Sequence, residues 1–503
     1  MKNNRKFNPA IIFIILSIIT ILLSGLLSWL NIEGTYVSTS EEIQTKVLTI
    51  NSLFNRTGIQ YIVGNMASNF VLFSPLSMVI MGLMSIGILY KSNFLKAIFT
   101  AFIKRIPKKV ITYILVLLGI ISSFTTDAGY IFLLPLAAYI FILNNRNPLI
   151  GITATFSGIV FGNGANFLLA GTDASLITIT RNATAMTYGN YTVDLYGGII
   201  FMIVSSLILA YIGMLITEKI LPNKFEKHEL IEEEYELNNS EKRGLRFGLI
   251  AVGILILIVT YCIIPNLPFS GLFLDMSEVH YINQLFGSES FFTEGIVFIV
   301  SFISIIGSIF YMKGSKKNKD NNYFIKLMGS SLEGIGSIII LVFFASQFIA
   351  IFKETNIGPV IVAILGNLIE SLEFSPIALI IVVFIVVIIS TILLPSTINK
   401  WTILAPSVVS SFIEVNLTPE FSLLVYKAAD SITRGVTPLL AYFVIYIGFL
   451  EIFKDKNTHT ISFKRTLGLL LPYSLLMGIT WFILIMAFYL VGIPIGIGIF
   501  PIL

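Results

Sequence analysis

The chain has 503 residues, of which 56% are hydrophobic and 12% charged, against about 45–50% and about 25% in soluble domains. Mean hydropathy is +0.90 and the formal net charge only +4, so the lipid bilayer is the solvent and no nucleic-acid partner is implied. A soluble chain of this length would suggest about three or four domains, but helices long enough to span roughly 30 Å of hydrocarbon make one membrane domain the better count.

From the N-terminus, Lys2, Arg5 and Lys6 precede the apolar run Ile11–Leu30. It resembles a signal peptide but is too long and lacks a small-residue cleavage pattern, so it is expected to be a retained first helix with a cytoplasmic N-terminus. Basic residues then alternate between crowded and nearly bare loops. Placing the crowded loops inside predicts nine crossings, at about 10–32, 70–91, 149–185, 196–218, 246–266, 291–313, 324–352, 420–453 and 463–490, with the C-terminus outside. The acidic stretch Glu229–Glu236 reads as a solvated cytoplasmic loop.

For this clustering to hold, Lys109–Leu143 must enter and leave on the inside as a re-entrant hairpin, with Thr125–Gly129 at its tip. Ser375–Val415 must likewise enter and leave on the outside, turning at Pro395–Lys400. The spans that follow, 149–185 and 420–453, are too long and too polar in the middle for plain helices, and breaks are expected at Gly162–Asn166 and Asp430–Gly435. A short amphipathic stretch, a hairpin and a broken span thus occur twice from opposite sides, an inverted repeat over about 70–218 and 324–490. Non-helical backbone survives at membrane depth only against protein or a wet cavity, so the breaks are expected to line a midplane site for an anion. The fold class expected is an all-α polytopic membrane protein of nine transmembrane helices plus two oppositely oriented re-entrant hairpins.

Arg181, Lys400, Lys427 and Arg434 fall within or beside membrane segments, where ionisable groups are costly and need an explanation. Asp173 is either a helix N-cap or a buried carboxylate carrying a coupling proton. Asp430 and Arg434 are one turn apart and can neutralise each other, or act beside the Gly435 break. Lys427 either snorkels or meets a substrate carboxylate. Trp401 is an interfacial aromatic or a stacking surface for an aromatic ring. Asn163 and Asn166 offer oxygen ligands for Na⁺, or cap broken backbone. Asp127 is an ordinary turn residue or a coupling carboxylate, and Glu333 belongs to a small-residue packing stretch. The single cysteine, Cys262, rules out a disulfide framework. No Gly-Lys-Ser phosphate loop or His-Glu-x-x-His occurs, and the histidines (His228, His280, His459) all lie in loops. An ATP-driven pump and an enzyme are therefore disfavoured.

Several motifs carry a family resemblance: Asn65–Phe70, Ser74-Pro75-Leu76, Thr126–Tyr130, Asn166–Asp173, Gln347–Ala350, Lys400–Pro406, Thr418-Pro419-Glu420, Tyr426–Ser431 and Val436–Leu439. With them the chain resembles the p-aminobenzoyl-glutamate transporter (AbgT) family over nearly its whole length. The resemblance implies a homodimer, each protomer with nine helices and two hairpins divided into a scaffold and a transport core. It implies secondary transport of p-aminobenzoyl-glutamate or a related anionic aromatic solute, by uptake or by export of antifolates such as sulfonamides. No resident cofactor is implied, and Na⁺ or H⁺ would drive the cycle. Substrate residues would map onto Asp173, Trp401, Pro419, Lys427, Asp430 and Pro438. Lys427 stands where the family usually has arginine, which loses the two-pronged grip on a carboxylate. Ile398 stands where serine is usual, leaving Ser396, Thr397 and Asn399 as the tip's polar groups. A sodium-coupled dicarboxylate carrier is the alternative, because it shares the hairpin and broken-helix plan.

Overall fold

The computed structural model describes residues 8–38, 44–125, 127–189, 191–225, 236–287, 290–316, 322–371, 374–455 and 461–503. The basic start Lys2–Lys6, Thr126, His228, His459 and most of the acidic stretch Glu229–Glu236 lie outside the described residues. In chain order the helices are α1 (Pro9–Trp29), α2 (Arg56–Val71), α3 (Ser74–Lys91), α4 (Phe94–Ile98), α5 (Lys108–Ile121), α6 (Leu134–Leu143), α7 (Pro148–Phe161), α8 (Gly171–Thr187), α9 (Ile199–Lys219) and α10 (Asn239–Cys262). There follow α11 (Tyr281–Phe286), α12 (Phe291–Gly314), α13 (Tyr323–Ser331), α14 (Ile335–Glu354), α15 (Ile357–Glu370), α16 (Pro376–Leu393), α17 (Thr397–Glu414), α18 (Pro419–Arg434), α19 (Ala441–Phe453) and α20 (Phe463–Val491).

Among the described residues nine helical stretches are long and apolar enough to cross a bilayer, the expected number with a different membership. Lys108–Thr125 and Pro376–Leu393, the first arms of the two hairpins, are among them, while the two interrupted spans are cut into shorter helices. Three further boundaries differ from expectation. Between α1 and α2 the chain is not helical: β1 (Glu33–Ser38) and β2 (Gln44–Thr49) pair antiparallel, with Glu33 opposite Thr49. The β-branched and aromatic residues Thr35, Tyr36, Val37, Thr45 and Val47 favour that pleat. The second crossing starts early, because Asn55 accepts the Gly58 N–H at 2.7 Å and caps α2; the helix stops at Val71 and restarts at Ser74, with Pro75 in the first turn of α3, where no N–H is needed. The span 324–352 is divided at Gly334, whose φ of +87° is open to glycine at no steric cost.

Hydrogen bonds relate the ends of α5, α6 and α17 to the two ends of α9. Arg146, just past α6, reaches the Lys108 carbonyl at 3.4 Å and the Thr112 hydroxyl at 2.8 Å, and pairs with Glu218 near the end of α9 at 2.7 Å. Both ends of the first hairpin therefore sit at the C-terminal end of α9. At the other end of α9, the Ile495 carbonyl accepts from Ile200 at 3.0 Å, and the tail it belongs to returns to Asn416, past α17, through the Leu503 N–H at 3.0 Å. The end of α17 thus lies at the opposite end of a 21-residue helix, about 30 Å away at 1.5 Å per residue.

The innermost helices are α7, buried along its whole length, and α18, buried from Pro419 to Thr433. Each passes a glycine of the other's broken span. A Cβ on Gly164 would lie 2.5 Å from the Lys427 carbonyl oxygen, and one on Gly435 2.4 Å from a Val160 methyl. The Gly164 N–H donates to the Ser431 hydroxyl at 2.9 Å. Backbone freed at each break is satisfied by side chains: Trp481 Nε1 donates to the Phe161 carbonyl at 2.8 Å, and Ser474 to that of Ile432 at 2.7 Å.

Gly164→Ala and Gly435→Ala are expected each to destabilise the detergent-solubilised protein by about 1–3 kcal/mol, the usual cost of overpacking. Gly253→Ala, where nothing lies within 4 Å, serves as control. Thermal unfolding midpoints check this, and equal midpoints in all three would contradict the packing account.

Candidate functional site

The first break opens after Phe161 into one tight turn, Asn163–Ala165, and then extended chain to Ala170. Asn166 closes that segment on itself, its amide oxygen accepting Leu168 N–H at 3.1 Å and its amide nitrogen donating to the Leu168 carbonyl at 2.6 Å. Its role as backbone cap is thus filled. Asp173 sits in the first turn of α8 rather than at the cap position, and its Oδ2 accepts the Ala170 N–H at 3.0 Å. Its Oδ1 meets Lys427 Nζ of α18 at 2.8 Å. Both side chains are more than nine-tenths buried, so the pair joins the two broken spans rather than snorkelling to an interface.

The second break lies later than the expected Asp430–Gly435: α18 stays helical through Asp430 to Arg434, and the chain unwinds from Gly435 to Leu440. The hydroxyls of Thr433 and Thr437 donate to the Ile388 and Ile392 carbonyls of α16 at 2.8 and 2.7 Å, fastening the break to the second hairpin. Asp430, 1% exposed, is the hub of the site. It accepts from Thr391 at 3.1 Å and Thr397 at 2.9 Å, pairs closely with the wholly buried Lys400, and lies 3.3 Å from Arg434 Nη1. Arg434 was the expected partner one turn away; Lys400 is the closer one, because the hairpin brings it back to the aspartate from 30 residues earlier in the chain.

Between the breaks and the two hairpin tips lies a cavity of about 280 Å³. Asp127, Asn163, Asn166, Asp173, Ser396, Lys427 and Asp430 all line it, together with Arg434, Tyr130 and Tyr442. The two tyrosine rings stack at 4.2 Å, and the Tyr442 hydroxyl is hydrogen-bonded to Asp127.

Four expected site residues lie elsewhere. Trp401 is fully buried, donates from Nε1 to Thr180 at 3.0 Å and packs on Tyr426 with ring centroids 4.4 Å apart. No ring face is free for a solute; Tyr426 in turn bonds the Thr397 carbonyl, so the indole supports the hairpin tip. Asn399 faces outward on α17 and is exposed. Pro419 opens α18 beside Thr418, which is tied to the C-terminal tail at 2.9 Å, and Pro438 lies within the unwound segment but not on the cavity wall. Glu333 is exposed. Conversely, Thr391 and Tyr442 gave no signal in the sequence, while Thr397 and Tyr130 were visible only as members of the tip motifs. Lys400 was visible only as an intramembrane cation without an assigned partner.

Residues 2–503 match the sequence model of the AbgT transporter family. The chain belongs to that family. It is 26% identical over 501 residues to the p-aminobenzoyl-glutamate transport protein of Escherichia coli strain K12, covering 99% of this chain and 95% of that one. Among solved structures it is similar to the Alcanivorax borkumensis YdaH transporter, of unusual topology, with TM-score 0.48 and 25% identity over 98% of this chain and 100% of that one. It is also similar to Neisseria gonorrhoeae MtrF, described with a class of antimetabolite efflux pumps, with TM-score 0.47 and 24% identity over 99% and 98% of the two chains. This AbgT-family member is a multi-pass membrane transporter and not an enzyme.

In this transporter Lys427→Met is expected to cost about 3–5 kcal/mol, because it strands the buried Asp173 carboxylate. Adding Asp173→Asn should recover most of that loss. Unfolding midpoints of the single and double variants check this, and additive losses would refute a direct pairing.

Proposed function

We propose that this transporter carries p-aminobenzoyl-glutamate or a related aromatic carboxylate, or an antifolate of sulfonamide type, across the plasma membrane under a Na⁺ or H⁺ gradient. The observation that carries the reading is a cavity whose wall holds both a stacked tyrosine pair, Tyr130 and Tyr442, and the cations Lys427 and Arg434. A flat ring with an attached carboxylate matches those two surfaces through aromatic packing and charge-assisted hydrogen bonding. The volume of about 280 Å³ stands at the small end of the roughly 300–1,000 Å³ usual for ligand sites, which suits one solute of this size. An aliphatic dicarboxylate would leave the tyrosine faces unused.

The two helical hairpins are read as re-entrant, and the two halves of the chain as an inverted repeat that rocks around the cavity. The N-terminus is placed in the cytoplasm and the C-terminus outside by the basic-loop rule, and the working unit is a homodimer. Asp127 and Asp173 are the carboxylates able to carry a proton, whereas Asn163 with the unwound carbonyls is the oxygen set able to meet Na⁺ as transported ion.

Purified protein in liposomes, given a Na⁺ or a pH gradient separately, should move radiolabelled p-aminobenzoyl-glutamate or a sulfonamide under one of the two. Absence of flux for both solutes under both gradients would overturn the substrate assignment. Asp173→Asn should reduce that flux by about tenfold or more, with membrane expression retained. Trp401→Phe, which keeps the ring against Tyr426 but loses the bond to Thr180, should retain more flux than Trp401→Ala.

A further inference from the structure

We propose that Arg434, rather than Lys427, holds the carboxylate of the transported anion. This rests on the reading that the cavity accepts an anionic aromatic solute, and it assigns the residue that recognises the charge. Three cations stand at or behind the cavity. Lys427 is committed: its ammonium is 2.8 Å from Asp173 Oδ1 and 3.3 Å from Met202 Sδ. Lys400 is fully enclosed and donates to Asp430, Thr391 and the Leu394 carbonyl. It is off the cavity wall.

Arg434 differs from both. It lines the cavity with its side chain 19% exposed, and its Nε is buried without a hydrogen-bond partner. Its Nη1 is held by the Thr397 hydroxyl, but the distance to Asp430 Oδ2 is 3.3 Å, long against the roughly 2.7–2.9 Å of a charge-assisted bond. Asp430 is already served by Thr391, Thr397 and Lys400. Two cations thus surround one carboxylate, and of the two only Arg434 reaches the cavity wall, beside the Tyr130 hydroxyl. A planar guanidinium there presents its N–H groups in the fork geometry that matches a carboxylate, which an ammonium cannot do. Asp127, also on the cavity wall, is a competing anion, and its carboxylate is bonded by Tyr442. The solute's carboxylate would compete with Asp127 for Arg434. The planar two-pronged contact would be supplied seven residues, about two turns, beyond Lys427 along α18.

The test measures equilibrium binding to purified protein of p-aminobenzoyl-glutamate and of its dimethyl ester, which keeps the ring and removes the charge. Wild-type protein should bind both. Arg434→Gln should weaken the acid by about tenfold or more, the loss expected for one charge-assisted contact, and leave the ester within about twofold. Arg434→Lys should fall between for the acid. Lys427→Gln should weaken acid and ester alike, since it acts through Asp173. Selective loss of the acid in either Arg434 variant supports the assignment. Unchanged acid binding, or parallel loss of acid and ester in both variants, would make Arg434 structural and overturn it. If wild-type protein bound neither ligand, the reading of the cavity itself would fail instead.

Discussion

Everything in the interior depends on two helices passing each other closely where both give way to irregular chain. Gly164 lies against the carbonyl of Lys427, and Gly435 against Val160 and Phe161. That reciprocal contact leaves no room for a β-carbon at either place. It also puts the unwound polar backbone of each span beside the buried helix of the other, where Ser431, Trp481 and Ser474 complete its hydrogen bonds. Irregular backbone deep in an apolar protein is tolerable only with such partners. The cavity is what remains on the open side of this crossing, closed by the tips of the two hairpins.

Charge follows the same plan. Three ion pairs join elements distant in sequence: the buried Lys427–Asp173 pair joins α18 to α8, the buried Lys400–Asp430 pair joins α17 to α18, and the half-buried Arg146–Glu218 pair joins the segment after α6 to α9. Removing one partner of such a pair is far more costly than the pair is worth in net stability, since the other charge stays buried. The pairs therefore act as registers that set which surfaces meet. Asp430 lies between a cation that is spent and one that is not, and so links the structural pairs to the cavity.

Much of the plan was legible in one dimension. Basic residues crowd alternate loops because moving them through hydrocarbon is costly, and that spacing singles out 109–143, whose flanks meet where Arg146 reaches Lys108 and Thr112, as a stretch that turns back. Glycine and asparagine at 162–166, and charge beside Gly435, mark places where a helix cannot continue unaided. The two-stranded β1–β2 ribbon, the early start of α2 and the division at Gly334 were not legible, since each turns on local capping, pleating or a single φ angle rather than on apolar length. Six of the ten expected substrate and coupling positions other than Asp127 line the cavity, because polar residues at a break have nowhere else to go. Trp401 does not, for its indole serves equally well as a packing surface for Tyr426.

Composition, the spacing of basic loops and the polar interruptions mark a membrane protein with two interrupted spans, because these follow from transfer free energies that act residue by residue. Which ion pairs with which, that Trp401 is buried, and that Arg434 lines the cavity are visible only in three dimensions. Pairing is a property of three-dimensional proximity: Lys400 and Arg434 both approach Asp430, one across a hairpin and one along a helix turn, and nothing in their spacing along the chain ranks the two.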